Sequence, residues 1–197
     1  KVRDVQRFAH NAQAVVDGQE GVIVACEVTR QETDHGALVP MIEQARENVN
    51  MPERSPVTVA DTGYGSGADV KSAVDGGNEI LVPPLEGKSS KNNPYATLRF
   101  KWDPVQKKVT CPRGEVLKFE GHYTLHEGPI KAVIHRIARY RCICKDCPVK
   151  GQCTKDAKGR RVEVREHTQV VQDLRARLET KGGRELYERR AGLVEPV

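Results

Sequence analysis

The chain has 197 residues, with 32 Lys and Arg against 27 Asp and Glu, a formal charge of +5, and 38% hydrophobic content. That is enough for one domain and a small module, and it excludes a wholly disordered chain. No apolar run approaches the roughly 18 residues of a membrane span, no secretory signal opens the chain, and six Cys are too sparse for a disulfide scaffold.

Residues 11–17 (NAQAVVD) and 21–29 (GVIVACEVT) are Val-rich runs separated by Gly18 and Gly21, the pattern of a hairpin. Cys26, inside the second run, reads as an inert core thiol. Thr33 or Asp34 can cap a helix running to about Val49, with Leu38, Met41, Ile42 and Ala45 on one face. Residues 57–61 (VTVAD) form a short strand ending in a carboxylate, followed by a Gly-rich turn, a helix over 68–75 and a strand over 79–82. Strands alternating with helices, after a hairpin, predict an α/β fold with one mixed sheet. The Gly63–Ala68 turn matches G-x-G-x-x-A. Asp61 would repel a pyrophosphate there and the next helix is too short, so a dinucleotide site is rejected.

A polar linker spans 86–95. Alternating stretches such as 116–119 and 137–142 then predict small antiparallel β structure with little core of its own. Residues 161–165 (RVEVR) read as a further strand. Val170, Val171, Leu174 and Leu178 mark a helix beginning at His167; Gly182–Gly183 should break it, and a second helix should run from Arg184 to near Glu195. The expected organisation is a partial core over 1–85, an inserted cysteine-rich β module over 86–160, and a strand and helices over 161–197 that complete the core.

Cys144-Lys-Asp-Cys147 is a C-x-x-C turn, with Cys153 beyond it and Cys111 in a second tight turn, Cys-Pro-Arg-Gly. Four thiolates around Zn²⁺ is the common closed structural site. The expected ligands are Cys111, Cys144, Cys147 and Cys153, with Cys142 able to replace Cys144. The loop histidines His122 and His126 are not expected to be ligands. Residues 1–140 are neutral, whereas 141–197 carry 14 basic and 9 acidic side chains. That local surplus fits either a solvated face or a polyanion partner.

Residues 10–43, 57–66 (VTVADTGYGS) and 187–195 (YERRAGLVE), together with the Cys-x-x-Cys-Pro…Cys-Thr segment at 144–154, resemble insertion-sequence transposases of the DDE class. The resemblance implies an RNase H-like catalytic fold with the cysteine module inserted between its last two acidic residues. It implies that Asp61 and Glu195 hold a divalent cation, Mg²⁺ or Mn²⁺, and that Tyr187 and Arg190, on the same helix as Glu195, are catalytic residues with them, Arg190 binding a phosphate or supporting a carboxylate. It implies transposon-end and target DNA as partners, metal-dependent cleavage and strand transfer, a cytoplasmic location and a homo-oligomeric full-length protein. The family's first acidic residue lies on a central strand before residue 10, so the sequence is expected to be a piece of a longer protein, inactive alone. Asp17 is the sole early alternative. A helix over 57–61, or the strands of the expected mixed sheet divided between two separate sheets, would overturn the RNase H-like reading. The rival reading is a non-enzymatic nucleic-acid-binding protein that works through the zinc module.

Overall fold

The computed structural model describes residues 10–50, 56–86, 92–127 and 133–194, apart from the side chains of 126, 127, 133–135 and 194. The chain divides into two compact units, one of residues 1–85 with 173–197 and the other of residues 86–172.

The first unit opens with β1 (Asn11–Val16) and β2 (Ile23–Thr29), an antiparallel hairpin in which Asn11 faces Thr29 and Ala14 faces Cys26. Asp17 makes the turn: its Oδ2 accepts the backbone N–H of Gln19 and Glu20 at 3.0 and 2.7 Å, and Gly21 takes the left-handed conformation. Helix α1 (Leu38–Asn48) covers the hairpin, burying Leu38, Met41 and Ile42 as its spacing predicts. Asn48 Nδ2 donates to Val24 O at 2.8 Å, tying the last turn of α1 to β2.

Strand β3 (Thr58–Val59) pairs in parallel with β4 (Ile80–Leu81) across α2 (Gly67–Asp75). Ser66 caps α2 by accepting the Asp69 N–H, and its hydroxyl donates back to Asp69 Oδ2 at 2.6 Å. Ile80, Leu81 and Val82 are fully buried, as expected of a short parallel strand covered on both faces.

The expected single mixed sheet is not observed. β1–β2 and β3–β4 are separate two-stranded ladders, and no described strand bridges them. The Cys26 expectation fails for a related reason. A hairpin covered on one face buries Ala25 and leaves the opposite face open, so Cys26 is exposed along with Val28.

The second unit holds the hairpin β5 (Lys101–Asp103) and β6 (Lys108–Thr110). It also holds an antiparallel sheet of β7 (Lys118–Glu127), β8 (Val133–Arg141) and β9 (Arg161–Val164), in the order β7-β8-β9, and the single turn α3 (Lys150–Cys153). The strand expected to rejoin the core, 161–165, pairs with β8 instead. The module also has more core than its composition promised. Phe100, Val109, Leu117, Tyr140, Val162 and Val164 pack with Cys142 and Cys144, and Trp102 sits with its ring centroid 5.7 Å from that of Tyr140.

Helix α4 (Thr168–Glu179) leads into α5 (Lys181–Val194). The break falls at Thr180, not at Gly182–Gly183. Thr180 Oγ1 accepts the Gly183 N–H at 3.0 Å and donates to Arg177 O at 2.7 Å, which starts α5 at once. Gly183 is needed there because a Cβ would overlap Arg177 O. Within the first unit, α5 packs against β3, and Leu193 Cδ1 lies 3.8 Å from where a Cβ on Gly18 would sit. Among the described residues no helix is long and apolar enough to cross a membrane.

Candidate functional site

Asp61 stands just past the carboxyl end of β3, the end at which open α/β sheets place reactive groups. It caps the 3₁₀ turn Thr62–Tyr64, with Oδ1 accepting the Gly63 N–H at 2.7 Å. Gly65 allows the next approach: a Cβ there would overlap Pro83 O, and Gly65 O accepts the Leu85 N–H at 3.0 Å. The glycines therefore serve chain packing rather than a phosphate cradle.

Asp34 reaches the same turn. It does not cap α1, which starts after Ala37 without a side-chain cap. Its Oδ1 instead accepts both Asn11 Nδ2 at 2.7 Å and Gln13 Nε2 at 2.8 Å. Its Oδ2 fills the space a Cβ on Gly63 would need, and that Cβ position lies 2.9 Å from Asp61 Oδ1. Both carboxylates therefore crowd the space beside Gly63. Burial, and then the charges of Asp34 and Asp61, push the Tyr64 phenol up to about 12. Sequence reasoning missed this role because a carboxylate shortly before a helix reads as its cap. The alternating Asn11 and Gln13, two amides on one face of a strand, were the available signal.

Asp17, the sole early alternative for a catalytic carboxylate, is committed to its turn. Its backbone N–H donors hold the carboxyl below its usual range. On α5, the Arg190 guanidinium lies 5.4 Å from the Tyr187 ring centroid, a cation–π contact, and Arg190 Nε is buried without a hydrogen-bond partner among the described residues. Glu195 lies outside the described residues.

In the second unit, Cys111, Cys142, Cys144, Cys147 and Cys153 all line one small cavity, with Phe100 and Pro112 among its walls. Cys111 sits in the predicted tight turn: its N–H donates to Glu115 O, its carbonyl accepts the Gly114 N–H, and the Arg113 N–H points at its Sγ at 3.4 Å. Cys142 and Cys144 both turn inward, while Ile143 between them is exposed. Gly159, at φ +94°, lets the next loop pass over them, since a Cβ would overlap Cys142 O. Burial, followed by the hydrogen bond with Cys144 and the neighbouring sulfurs, pushes the Cys142 thiol up to about 12. Burial also raises Cys153, against the pull of Arg160.

The expectation that four sulfurs stand within bonding reach of one ion is not met. Among the described residues no three His, Cys, Asp or Glu side chains form a metal-holding group. The thiols share a cavity without closing into a coordination shell. His122 stacks edge-on to Phe119, away from that cavity.

Much of the basic surplus is engaged in ion pairs. Arg141 pairs with Glu120 at 2.5 Å and Asp156 at 3.1 Å, Arg165 with Glu163 at 3.3 Å, and Arg177 with Glu79 at 2.6 Å. These residues fasten strands and helices, which favours the structural reading of their charge.

Residues 110–197, which include the cysteine turns and both final helices, match the family model described as transposase DDE domain. Over those residues the chain is similar to DDE-class transposases. The match covers somewhat less than half of the sequence. No curated protein and no solved structure matches the chain.

Proposed function

We propose that the chain is part of a DNA transposase catalytic domain whose Asp61 and Glu195 hold divalent cations for phosphodiester cleavage and strand transfer. The observation that carries this reading is the match of residues 110–197 to the transposase DDE domain, in a chain that also carries A-D-x-G-Y-x-S. Asp61 suits the role. One oxygen is held by Gly63, and among the described residues neither oxygen is claimed by a Lys or Arg. Bound Mg²⁺ or Mn²⁺ would stabilise the attacking and leaving oxygens of the reaction. The unpartnered Nε of Arg190 is a donor for a phosphate or for an acidic side chain.

We read the fold as an RNase H-like core on the strength of the DDE-domain match over residues 110–197 and the parallel β3–α2–β4 unit that carries Asp61; the division of β1–β2 from β3–β4 stands against that reading. We read the second unit as a zinc module, with Cys111, Cys147, Cys153 and one of Cys142 and Cys144 as ligands. The support is the donor set: five sulfurs on one cavity and a backbone N–H already aimed at one of them. Bound zinc would draw the thiols into a shell and hold the turns together. Lys145, Lys155 and Lys158, which pair with no carboxylate among the described residues, suit contact with a DNA backbone.

The test is a plasmid-nicking assay in Mg²⁺ or Mn²⁺, run on residues 1–197 and on the same chain with the coding sequence upstream of Lys1 restored. The extended protein should nick DNA, and Asp61→Asn or Glu195→Gln should each abolish nicking. Retained nicking in both variants would remove the DDE assignment. DNA binding without nicking, lost on zinc removal, would favour the non-enzymatic alternative.

A further inference from the structure

The carboxylate of Asp34 faces the same turn as Asp61 from a different part of the chain. Its Oδ1 already accepts two side-chain amides, Asn11 Nδ2 at 2.7 Å and Gln13 Nε2 at 2.8 Å. Its Oδ2 projects over Gly63, close enough that a Cβ on that glycine would overlap it, while the same Cβ position lies 2.9 Å from Asp61 Oδ1. The gap between the two carboxylates is therefore short, and a single ion can bridge it. Two like charges so placed repel unless a cation lies between them. No Lys or Arg among the described residues supplies one.

A second, independent observation comes from Gln13. It is only 3% exposed, its amide is directed onto Asp34, and its Oε1 is buried without a hydrogen-bond donor. A buried carbonyl oxygen on the side chain that holds Asp34 needs a donor that the described residues do not provide. A hydrated divalent cation answers both needs. Its charge satisfies the carboxylates, and Mg²⁺ keeps several waters, one of which can donate to Gln13 Oε1.

We propose that Asp34 is a further cation ligand of the Asp61 site, with Gln13 receiving a hydrogen bond from a water on the same ion. This rests on the reading of Asp61 as a cation ligand. It adds a carboxylate that enters just before α1, between the hairpin and the Asp61 strand. Asn11 and Gln13 fix its orientation by occupying Oδ1 and leaving Oδ2 for the ion.

The experiment is titration of the zinc-loaded chain with Mn²⁺ alone, followed by the loss of the free-ion electron paramagnetic resonance signal. Four proteins are compared: wild type, Asp34→Asn, Asp34→Glu and Asp61→Asn. Asn at 34 keeps an acceptor for Asn11 and Gln13 but loses the anionic oxygen, so a purely structural Asp34 would tolerate it. Wild type should bind, Asp34→Asn should bind at least about tenfold more weakly, and Asp34→Glu should recover most of the affinity. If Asp34→Asn fails to fold, Asp34→Glu decides: near wild-type binding supports the proposal, and binding as weak as in Asp61→Asn overturns it. If Asp34→Asn binds as wild type while Asp61→Asn does not, Asp34 is no ligand and the Asp61 reading stands. If wild type does not bind, or Asp61→Asn binds unchanged, both readings fall together.

Discussion

Gly63 is a glycine because Asp34 occupies the space its Cβ would need. The contact joins residues far apart in sequence and brings the loop before α1 onto the turn after β3. Gly63→Ala should therefore displace Asp34 and lower stability by about 1–3 kcal/mol, the usual cost of an overpacked contact. Thermal unfolding measures it, and an unchanged midpoint would mean that the turn opens freely.

Tyr64 reports the same electrostatics. Its phenol is pushed up to about 12 by burial and by Asp34 and Asp61. The folded state thus holds the proton more tightly than the unfolded chain, whose tyrosines ionise near their ordinary value of about 10. The contribution is complete below the unfolded value and is lost as pH rises through the folded one. Stability should fall between about pH 10 and 12, and Tyr64→Phe should remove part of that slope. The Cys142 thiol, also raised, adds a decline in the same direction in metal-free protein, so the difference between the two proteins is the quantity to read.

Thr180 sets the start of α5 through its bonds to Gly183 and Arg177. Thr180→Ala should cost about 1 kcal/mol and lower the melting midpoint by about 2–4 °C. Thr180→Ser, which keeps the hydroxyl, should restore most of the loss.

The cysteine cavity gives a compositional test. Metal analysis should find about one zinc per chain, with Zn–S distances of about 2.3 Å by X-ray absorption. Cys147→Ser should reduce the content, and Gly159→Ala should do so indirectly by pushing on Cys142 O. Five freely reactive thiols in freshly purified protein would contradict a metal role.

The sequence made some of this plain and hid the rest for identifiable reasons. The buried face of α1, the hairpin, and the position of Asp61 after a short strand follow from local periodicity and turn chemistry. The turn spacing of Cys111, Cys144, Cys147 and Cys153 pointed to a shared site, whereas the entry of Cys142 into the same cavity beside Cys144 is seen only in the fold. Asp34 was misread because its partners Asn11 and Gln13 lie more than twenty positions away, beyond any local pattern. Residues 161–164 alternate equally well for any neighbouring strand, so only pairing with β8 places them. At the last helix break the Gly182–Gly183 pair reads locally as a stop. Two glycines are tolerated inside α5 once Thr180 has satisfied its first turn.

The central claim is that Asp61 and Glu195 serve one cation site although 134 positions separate them (195 − 61). Fe²⁺ substituted for Mg²⁺, with ascorbate and peroxide, generates radicals that cut the backbone next to the bound ion, and mass spectrometry maps the cuts. The account predicts cuts around both Asp61 and Glu195, suppressed together by excess Mg²⁺ and lost together in Asp61→Asn. Mg²⁺-sensitive cuts near only one of the two residues, or at neither, would contradict it.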